Sequence, residues 1–391
     1  MKQYLLGPRS FWYPYIKTLP QPEHLSSWAL PAFWPEGDVE FLEGTNAEVA
    51  VEEVRGNLRR EYKAARRALR EARWNGWEDY SRGLYHWAFC VFTSRGFRSS
   101  GVLPAGGGRL GLSSEDANGE GEKGEEDDDF GVLVPVLDVG NHDLRARVEW
   151  DKETEPGKVR LVTRETVGPG NQVCNNYGQK TNSELLLGYG FVIPETEEVH
   201  NDYVHLRKRA GGEDGARQGT AARDFLISLR PMGDPSSWVG RSRQRIKVED
   251  GFEVLPALAH VEDSLVWDLV VAQAGHDQDV RQTVEKLLEE SPGGGNVDYC
   301  LKRILASPTA PKLEGLVDKV KEALLAKLAF DYERILDPEV YEDGEPALVP
   351  ANPNQELAMA YRRQCKKVLE TVIRKLGGQL DVDAGSQSTK P

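Results

Sequence analysis

The chain has 391 residues, a length that suggests two to three domains, and 39% of its residues are hydrophobic. It has no apolar run of about 18 residues, so we predict no membrane-spanning helix and no membrane partner. The formal net charge of −14 argues against general nucleic-acid binding, and we predict no nucleic-acid partner. The same charge favours a basic partner, such as a lysine-bearing protein.

The cysteines and the first residues bear on the cellular compartment. No Cys-x-x-Cys spacing occurs, so we predict neither a zinc site nor a disulfide framework, and no bound metal. The four cysteines are Cys90, Cys174, Cys300 and Cys365. The first residues are too short in their apolar part for a secretory signal. We therefore predict an intracellular protein of the cytoplasm or nucleus, or of the chloroplast if a transit peptide precedes this sequence.

A long amphipathic helix is the first regular element that the sequence predicts. Apolar residues recur at steps of three and four from residue 54 to residue 72, which is typical of one buried helix face. Seven cations lie on the other face: Arg59, Arg60, Lys63, Arg66, Arg67, Arg70 and Arg73. Such a stripe can bind nucleic acid or an acidic protein surface, or can be a solvated helix face. In an acidic chain we interpret it as a solvated face.

A second helix should begin at Trp77 and bury Leu84, Trp87, Ala88 and Val91 before it ends near Arg95. Residues 113–129 are rich in Gly, Glu and Asp and almost free of apolar residues. They predict a disordered surface loop.

Two polar and aromatic motifs then follow predicted strands. The apolar run at 132–139 predicts a buried strand that ends at Asn141-His142-Asp143. A hairpin is predicted from 148–150 and 159–162. A further strand at 172–177 ends at Gly178, which permits a backbone path that a side chain would forbid. Thr181-Asn182-Ser183 should cap a short helix with Glu184 in its first turn, and that helix delivers Tyr189-Gly190-Phe191.

The remaining sequence is predicted to be mainly helical. Residues 202–206 predict a last strand, followed by a Gly-rich bridge at 211–219. Helical periodicity then recurs at 265–274, 280–288, 299–305, 313–336 and 357–376, which favours a helical bundle. The tail at 378–391 is predicted to be disordered.

The two motifs together resemble those of a known family. Asn141-His142-Asp143 and the stretch NNYGQKTNSELLLGYGFV at 175–192 are similar to the paired motifs of SET-domain protein-lysine methyltransferases of the Rubisco large-subunit methyltransferase type. The resemblance extends to residues 10–20, 33–34, 42–45, 87–97 and 351–373. It implies an α+β fold of short β-sheets with a helical insertion at about 36–93, followed by an all-helical domain. We therefore expect a SET catalytic domain at 1–206 and a helical substrate-binding domain at 207–377.

The resemblance also implies an activity and a set of site residues. The expected reaction transfers a methyl group from S-adenosylmethionine to a lysine of a non-histone protein, by a monomeric enzyme. Tyr189 matches the catalytic tyrosine. The residues that match cofactor-binding positions are Asn141, His142, Arg95, Tyr177 and Phe191. The residues that match substrate-contacting positions are Asp138, Arg95, Tyr177 and Tyr203.

Other readings of these residues remain open. Asn141 can simply cap a turn, His142 can be a hydrogen-bonded core histidine, and Tyr189 can be a core aromatic residue. Family members also carry an N-terminal strand pair with a Gly-x-Gly turn, and no Gly-x-Gly occurs here before Gly106. We therefore expect that this sequence either is incomplete or binds the cofactor weakly. The alternative functions are a non-catalytic binding module that has lost cofactor binding, and a histidine methyltransferase.

Overall fold

The structure of the chain is a computed structural model. The residues that it describes are 1–27, 30–102, 130–151, 158–194, 203–208, 223–230, 258–305, 311–339 and 347–380. The predicted acidic loop at 113–129 and the glycine-rich bridge lie outside them, as does the tail beyond residue 380. None of the described helices combines the length and the hydropathy that a membrane crossing requires.

Helices make up most of the regular structure that is described. They are α1 (Lys2–Leu5), α2 (Tyr13–Ile16), α3 (Glu36–Val39), α4 (Asn46–Glu71), α5 (Arg82–Arg95), α6 (Ser99–Val102), α7 (Asn182–Tyr189), α8 (Asp263–Ala274), α9 (Gln278–Glu289), α10 (Val297–Leu305), α11 (Pro311–Leu336) and α12 (Pro353–Lys375). The long α4 and the five C-terminal helices confirm the predicted helical periods.

The strands form short antiparallel pairs. They are β1 (Phe97–Arg98) with β2 (Gly131–Val132), β3 (Val148–Asp151) with β4 (Arg160–Thr163), and β5 (Tyr203–Lys208) with β6 (Arg223–Ser228). The β3–β4 pair confirms the predicted hairpin, with Trp150 opposite Leu161. β6 was not predicted, because the composition beyond Lys208 indicated helices alone. Its Phe225 and Ile227 are fully buried, at the alternating positions that one face of a strand presents.

Two of the predicted strands are wrong. Only Val132 of the run at 132–139 is in a strand, and Leu137–Val139 forms a 3-10 turn after Val136, whose φ is 74°. Pro135 explains this, because proline has no N–H to donate to a ladder. The run at 172–177 retains a single parallel bridge, between Asn175 and His142.

The start of α5 also differs from the prediction. Trp77–Asp79 forms a separate 3-10 turn, and α5 begins at Arg82. Ser81 caps it by accepting a hydrogen bond from the backbone N–H of Leu84. A serine at this position satisfies an N–H that the first helical turn leaves without a partner.

The chain divides into two compact units that interleave along the sequence. The first unit comprises Met1–Phe33, Val54–Lys180 and Gly188–Gly190, and the second comprises Trp34–Glu53, Thr181–Leu187 and Phe191–Pro391. Two of the boundaries fall inside helices, one in α4 and one in α7. The assignment of a catalytic domain to 1–206 and a substrate-binding domain to 207–377 stays a prediction.

In the first unit, the N-terminal segment packs on α5. Leu19, Leu84, Trp87 and Val91 form a buried cluster, and the indole N–H of Trp87 donates to the carbonyl of Pro20 at 2.6 Å. Burial of these side chains removes apolar surface from water and holds the two segments together. The cluster therefore fixes the segment that carries Tyr15 next to the helix that carries Arg95.

In the second unit, a buried arginine on α12 joins several segments. The Arg362 side chain has no exposed surface. Its guanidinium donates to the carbonyls of Phe41, Glu43 and Ile335 and to the carboxylate of Glu339. All three guanidinium nitrogens therefore have partners, which is how a buried charge can be tolerated.

The second unit also contains a glycine that the packing requires. Gly44 has a φ of +77°, and a Cβ at this position would lie 1.9 Å from the carbonyl oxygen of Arg334. Both the backbone conformation and the close approach exclude a side chain.

Candidate active site

The two motifs meet in the first unit through their backbones. His142 and Asn175 form a parallel bridge. The N–H of Asn175 donates to the carbonyl of Asn141 at 2.7 Å, and the N–H of Asp143 donates to the carbonyl of Asn175 at 2.9 Å. The structure thus brings together two segments that the sequence separates by more than 30 residues.

Asparagine side chains limit this pairing to one bridge. The side chain of Asn175 accepts from the N–H of Asn176 at 2.8 Å, and the amide of Asn176 donates to the carbonyl of Leu144 at 3.1 Å. Such side-chain bonds compete with a strand ladder for the same backbone groups. The segment after the bridge is therefore free to turn and present Tyr177.

Tyr177 is held at both ends. Its backbone N–H donates to Nδ1 of His142 at 3.0 Å, and its hydroxyl donates to the carbonyl of Gly140 at 2.9 Å. Because Nδ1 accepts, the proton of the neutral imidazole lies on Nε2. Burial lowers the pKa of His142, which favours this neutral form. Burial also raises the pKa of Tyr177, so its hydroxyl stays a donor at neutral pH.

Three rings form a stack that ends at Tyr189. The centroids of His142 and Tyr177 are 5.0 Å apart with an interplanar angle of 19°, and those of Tyr177 and Tyr189 are 4.9 Å apart with an angle of 29°. Offset stacking of this kind stabilises aromatic pairs. The Nζ atom of Lys180 lies 5.9 Å from the centroid of the Tyr189 ring. We call these three rings the aromatic column.

The column depends on α7 for the position of Tyr189. Thr181 and Glu184 form a reciprocal cap: the hydroxyl of Thr181 accepts from the N–H of Glu184, and the carboxylate of Glu184 accepts from the N–H of Thr181. This confirms the predicted cap. Gly190 follows Tyr189 with a φ of +75°, a conformation that glycine adopts without strain and that ends the helix.

A buried carboxylate lies beside the column. The Asp138 side chain has no exposed surface, and its Oδ2 accepts from the hydroxyl of Tyr15 at 2.5 Å. Arg95 donates to the Asp138 carbonyl at 3.1 Å and lies 3.9 Å from Oδ2. Among the residues that the structure describes, Oδ1 has no hydrogen-bond partner. A buried carboxylate oxygen with unused acceptor capacity is uncommon, and it is the kind of group that a ligand can satisfy.

Tyr15 is a site residue that sequence reasoning missed. It lies 123 positions from Asp138, so no local pattern links the two residues. Burial and its bond to Asp138 raise the pKa of the Tyr15 hydroxyl, which therefore remains a hydrogen-bond donor. The available sequence signal was the stretch at 10–20, which we assigned to the family resemblance without giving Tyr15 a role.

The other predicted site residues belong to the second unit. Tyr203 is buried at the start of β5, with the guanidinium of Arg230 4.9 Å from the centroid of its ring. Phe191 donates its backbone N–H to the carbonyl of Leu185 at 3.5 Å. The predicted roles of Tyr203 and Phe191 remain predictions.

The charges around the column are few. Arg95 faces Asp138, Asp143 lies 3.7 Å from Arg145, and Lys180 lies over Tyr189. In the described part of the chain, no group of three or more His, Cys, Asp or Glu side chains could hold a metal ion. The groups that the site offers include two tyrosine rings, a histidine and a carboxylate.

Solved structures with the same fold are SET domains. The SET domain of LSMT bound to lysine and AdoHcy matches with a TM-score of 0.59 at 16% sequence identity, over 96% of this chain and 72% of that chain. Rubisco LSMT bound to AdoMet matches with a TM-score of 0.55 at 16% identity, over 94% of this chain and 71% of that one. The chain therefore has the same fold as these SET domains, and the predicted α+β class with a helical C-terminal region is confirmed.

Curated proteins narrow the relationship further. The ribosomal lysine N-methyltransferase set10 of Schizosaccharomyces pombe is 30% identical over 215 residues, which are 53% of this chain and 34% of that protein. The N-lysine methyltransferase SETD6 of Homo sapiens is 27% identical over 248 residues, 60% of this chain and 47% of that protein. No family model matches the chain. The chain is thus related to SET-domain protein-lysine methyltransferases, and it spans about a third to a half of the length of these relatives.

Proposed function

We propose that the chain is a protein-lysine N-methyltransferase that uses S-adenosylmethionine and acts on a non-histone protein. The observation that carries this proposal is the aromatic column of His142, Tyr177 and Tyr189, with a buried and partly unsatisfied carboxylate at Asp138 beside it. The relatives named above support it, since each is a lysine methyltransferase by name.

The Asn141 segment has polar and apolar groups that suit S-adenosylmethionine, which has a zwitterionic amino-acid end and a purine ring. The Asn141 side chain is exposed and has no hydrogen bond to a residue that the structure describes, so its amide is available to donate and to accept. Val139 and Val173, near the same bridge, are 60% and 56% exposed, which offers apolar surface to a planar ring. We assign Asn141 and His142, with Arg95, Tyr177 and Phe191, to cofactor binding. S-adenosylmethionine, when bound, supplies a methyl group activated by a sulfonium.

The tyrosines have the properties that a lysine acceptor requires. Only a neutral amine has the lone pair that attacks a methyl group, and a desolvated aromatic surface disfavours the ammonium form. Tyr177 and Tyr189 present stacked ring faces, and the hydroxyl of Tyr177 is oriented by the carbonyl of Gly140. We assign Tyr189 as the catalytic tyrosine and Tyr177 and Tyr203 as walls of the lysine channel. Their main effect is to align the amine with the methyl group. Such alignment can lower a reaction barrier by at most about 7 to 11 kcal/mol.

Asp138 is assigned to the substrate. Oδ2 is occupied by Tyr15, whereas Oδ1 has no partner among the described residues. A donor on the substrate, such as a backbone amide or the amine itself, would satisfy Oδ1 and be oriented by it. Arg95 helps to hold Asp138 in place by donating to its backbone carbonyl.

The cysteines bear on the cellular compartment in which the reaction takes place. None of the four cysteines is in a disulfide, which fits a reducing compartment such as the cytoplasm or nucleus. We also propose that the chain acts as a monomer.

A methyl-transfer assay tests the proposal. Purified chain is incubated with S-adenosylmethionine labelled in its methyl group and with a protein extract, and labelled residues are identified by mass spectrometry. We expect methyl-lysine in one or a few proteins, and a rate about 10²- to 10³-fold lower for Tyr189→Phe, because removal of one oriented group at a reacting centre typically has that effect. Tyr299→Phe, a half-buried tyrosine of α10, is the matched control and should leave the rate unchanged.

Calorimetry with S-adenosylmethionine separates the alternatives. Heat of binding without methyl transfer to any protein would contradict the enzymatic proposal. No heat at high micromolar cofactor would instead favour a binding module that has lost the cofactor. Methyl-histidine as the product would favour the histidine methyltransferase.

A further inference from the structure

One surface of the first unit lies outside the candidate site and is strongly basic. Residues 59–73 contain seven cations and two carboxylates, a net charge of +5 in a chain whose net charge is −14. Positions 59, 63, 66 and 70 recur at steps of four and three, so they lie on one face of α4, and Arg60 and Arg67 flank them. We call Arg59, Arg60, Lys63, Arg66, Arg67, Arg70 and Arg73 the basic stripe.

The exposed members of the stripe are not neutralised by the described part of the chain. The side chains of Arg59, Lys63, Arg67 and Arg70 are exposed, and none has a hydrogen bond or ion pair with a residue that the structure describes. Of the two carboxylates in the same stretch, Glu61 accepts from the hydroxyl of Tyr85. Like charges one turn apart destabilise a helix, so the stripe lowers the intrinsic stability of α4.

Helices of the second unit show the ordinary arrangement. There, Arg281 pairs with Glu285, Lys286 with Glu290 and Arg374 with Glu370, each one turn along the same helix. A solvated helix face of this chain therefore normally carries alternating charge. The unneutralised cations of α4 depart from that pattern.

The C-terminal end of the stripe adds an aromatic surface in an unusual conformation. Arg73 ends the helix with a φ of 50°, where glycine is usually found because it has no Cβ. Trp74 follows and is 41% exposed, with the Nζ of Lys2 5.1 Å from its ring centroid. The guanidinium of Arg66 lies 5.0 Å from the centroid of the Trp77 ring. The strained turn thus places a cation and an exposed indole at the end of the stripe.

We propose that the basic stripe, with Trp74, is a docking surface for RNA. From Arg59 to Arg70 it is about 17 Å long, at a rise of about 1.5 Å per residue. Six of its seven cations are arginine, whose planar fork binds phosphate oxygens in pairs. An acidic protein surface would satisfy the arginines equally well. It would gain little from Trp74, on which a nucleobase can stack.

The negative net charge of the chain limits the strength of RNA binding to the basic stripe. An acidic protein repels RNA at long range, and we predicted no nucleic-acid partner on that basis. At physiological salt the screening length is about 8 Å, so the local stripe dominates only at contact. The affinity should therefore be in the range of non-specific RNA binding, about 1 to 100 µM, and should fall steeply with salt.

Fluorescence anisotropy of a labelled single-stranded RNA of about 20 nucleotides, titrated with the full chain without cofactor, tests the proposal. The test variant is Arg59→Glu/Lys63→Glu/Arg67→Glu/Arg70→Glu, which leaves the half-buried Arg66 in place. The control is Arg281→Glu/Arg303→Glu/Lys319→Glu/Arg374→Glu, which changes the same number of exposed arginines and lysines and gives the same net charge. We expect at least about tenfold weaker binding for the test variant and less than about threefold for the control. The salt slope should fall by about 3 for four lost phosphate contacts at about 0.7 each.

A second variant separates binding from folding. Arg73→Gly removes a cation and relieves the left-handed strain, so its thermal midpoint should rise while its RNA affinity falls by about two- to threefold, which is less than one decade for a single phosphate contact. Flat anisotropy up to about 100 µM chain in about 50 mM salt would overturn the proposal. Equal losses in the test and control variants would overturn it as well. Displacement of the RNA by a polyglutamate peptide as effectively as by unlabelled RNA would show that the surface suits acidic protein instead.

Discussion

Two buried polar groups, Arg362 in the second unit and Asp138 in the first, show how differently this chain uses a charge that is out of contact with water. Arg362 donates through all three of its guanidinium nitrogens to carbonyls and to Glu339. Asp138 binds Tyr15 through one oxygen, and its other oxygen has no partner among the described residues. A buried charge whose hydrogen bonds are all made within the protein stabilises the fold. A buried charge with an unused hydrogen-bond acceptor can still bind a ligand. The comparison therefore sets a structural charge, Arg362, against a charge that we propose to be functional, Asp138.

We expect the largest effect on stability from substitution of Arg362. Arg362→Met removes the donor to Glu339 Oε1 and to the carbonyls of Phe41, Glu43 and Ile335, and we expect a loss of about 3 to 5 kcal/mol in the free energy of unfolding. Arg363→Met, the exposed neighbour on the same helix, should change it by less than about 0.5 kcal/mol. Denaturant unfolding of both variants measures this. A loss below about 1 kcal/mol for Arg362→Met would mean that the network is not structural.

Asp138→Asn should have the opposite signature. The asparagine can still accept from Tyr15, and it removes a buried charge whose only described ion-pair partner, Arg95, lies 3.9 Å from Oδ2. We expect a change in unfolding free energy of less than about 1 kcal/mol, because the native hydrogen bond is retained. The rate of methyl transfer at low substrate concentration should fall by about 10- to 100-fold, since a hydrogen bond to a charged acceptor contributes about 1.5 to 3 kcal/mol.

The two readouts together decide the role of Asp138. Unchanged methyl transfer with a stability loss as large as that of Arg362→Met would reverse the assignment and make Asp138 a structural residue. Asn354→Ala is a suitable control, because it removes one hydrogen bond to Asp38 in the second unit and should not alter transfer.

The smallest predicted effect concerns pH. Burial lowers the pKa of His142 relative to the unfolded value of about 6.5. On acidification the unfolded state therefore binds a proton first, so the stability from neutral His142 is complete above about pH 6.5 and is lost as the pH falls below it. One proton limits the slope to about 1.4 kcal/mol per pH unit. His142→Gln should flatten the decline between pH 7.5 and 5.5, measured by denaturant unfolding at about half-unit steps.

His86 provides the reference for that measurement. Burial and the nearby Arg82 also lower its pKa, so His86→Gln should remove the contribution of His86 to the same decline. A decline that is unchanged in His142→Gln but abolished in His86→Gln would show that the column histidine does not titrate as its burial predicts.

The sequence predicts local features of the molecule better than contacts between residues that are far apart in the chain. The cap of α7 was predicted from a local pattern, because helix caps depend on neighbouring residues, whereas the Asn-His pair and the tyrosine at the end of α7 were selected by their resemblance to family motifs. The Tyr15–Asp138 bond joins residues 123 positions apart, and a distance of that kind has no local signal. Arg362 lies at a position of α12 where a charged residue would ordinarily be assigned to the surface. Its burial depends on carbonyls from residues more than 300 positions away.

The strand errors have a similar cause. The apolar run at 132–139 has the composition of a buried strand, but Pro135 removes a donor and Val136 adopts a φ of 74°. The apolar composition favoured a strand, but the single proline determined the backbone path. β6 was missed because its partner β5 precedes a long glycine-rich stretch, and strand pairing across such a distance cannot be read from composition.

A crystal structure of the chain with S-adenosylhomocysteine and a lysine-containing peptide tests the central claim most directly. We expect the amino-acid end of the cofactor product to lie within hydrogen-bond distance of Asn141, and the lysine amine to lie between Tyr177 and Tyr189. We also expect Asp138 Oδ1 to accept a hydrogen bond from the peptide. A cofactor product or a lysine bound elsewhere, with the aromatic column closed and Asp138 Oδ1 still without a donor, would contradict it.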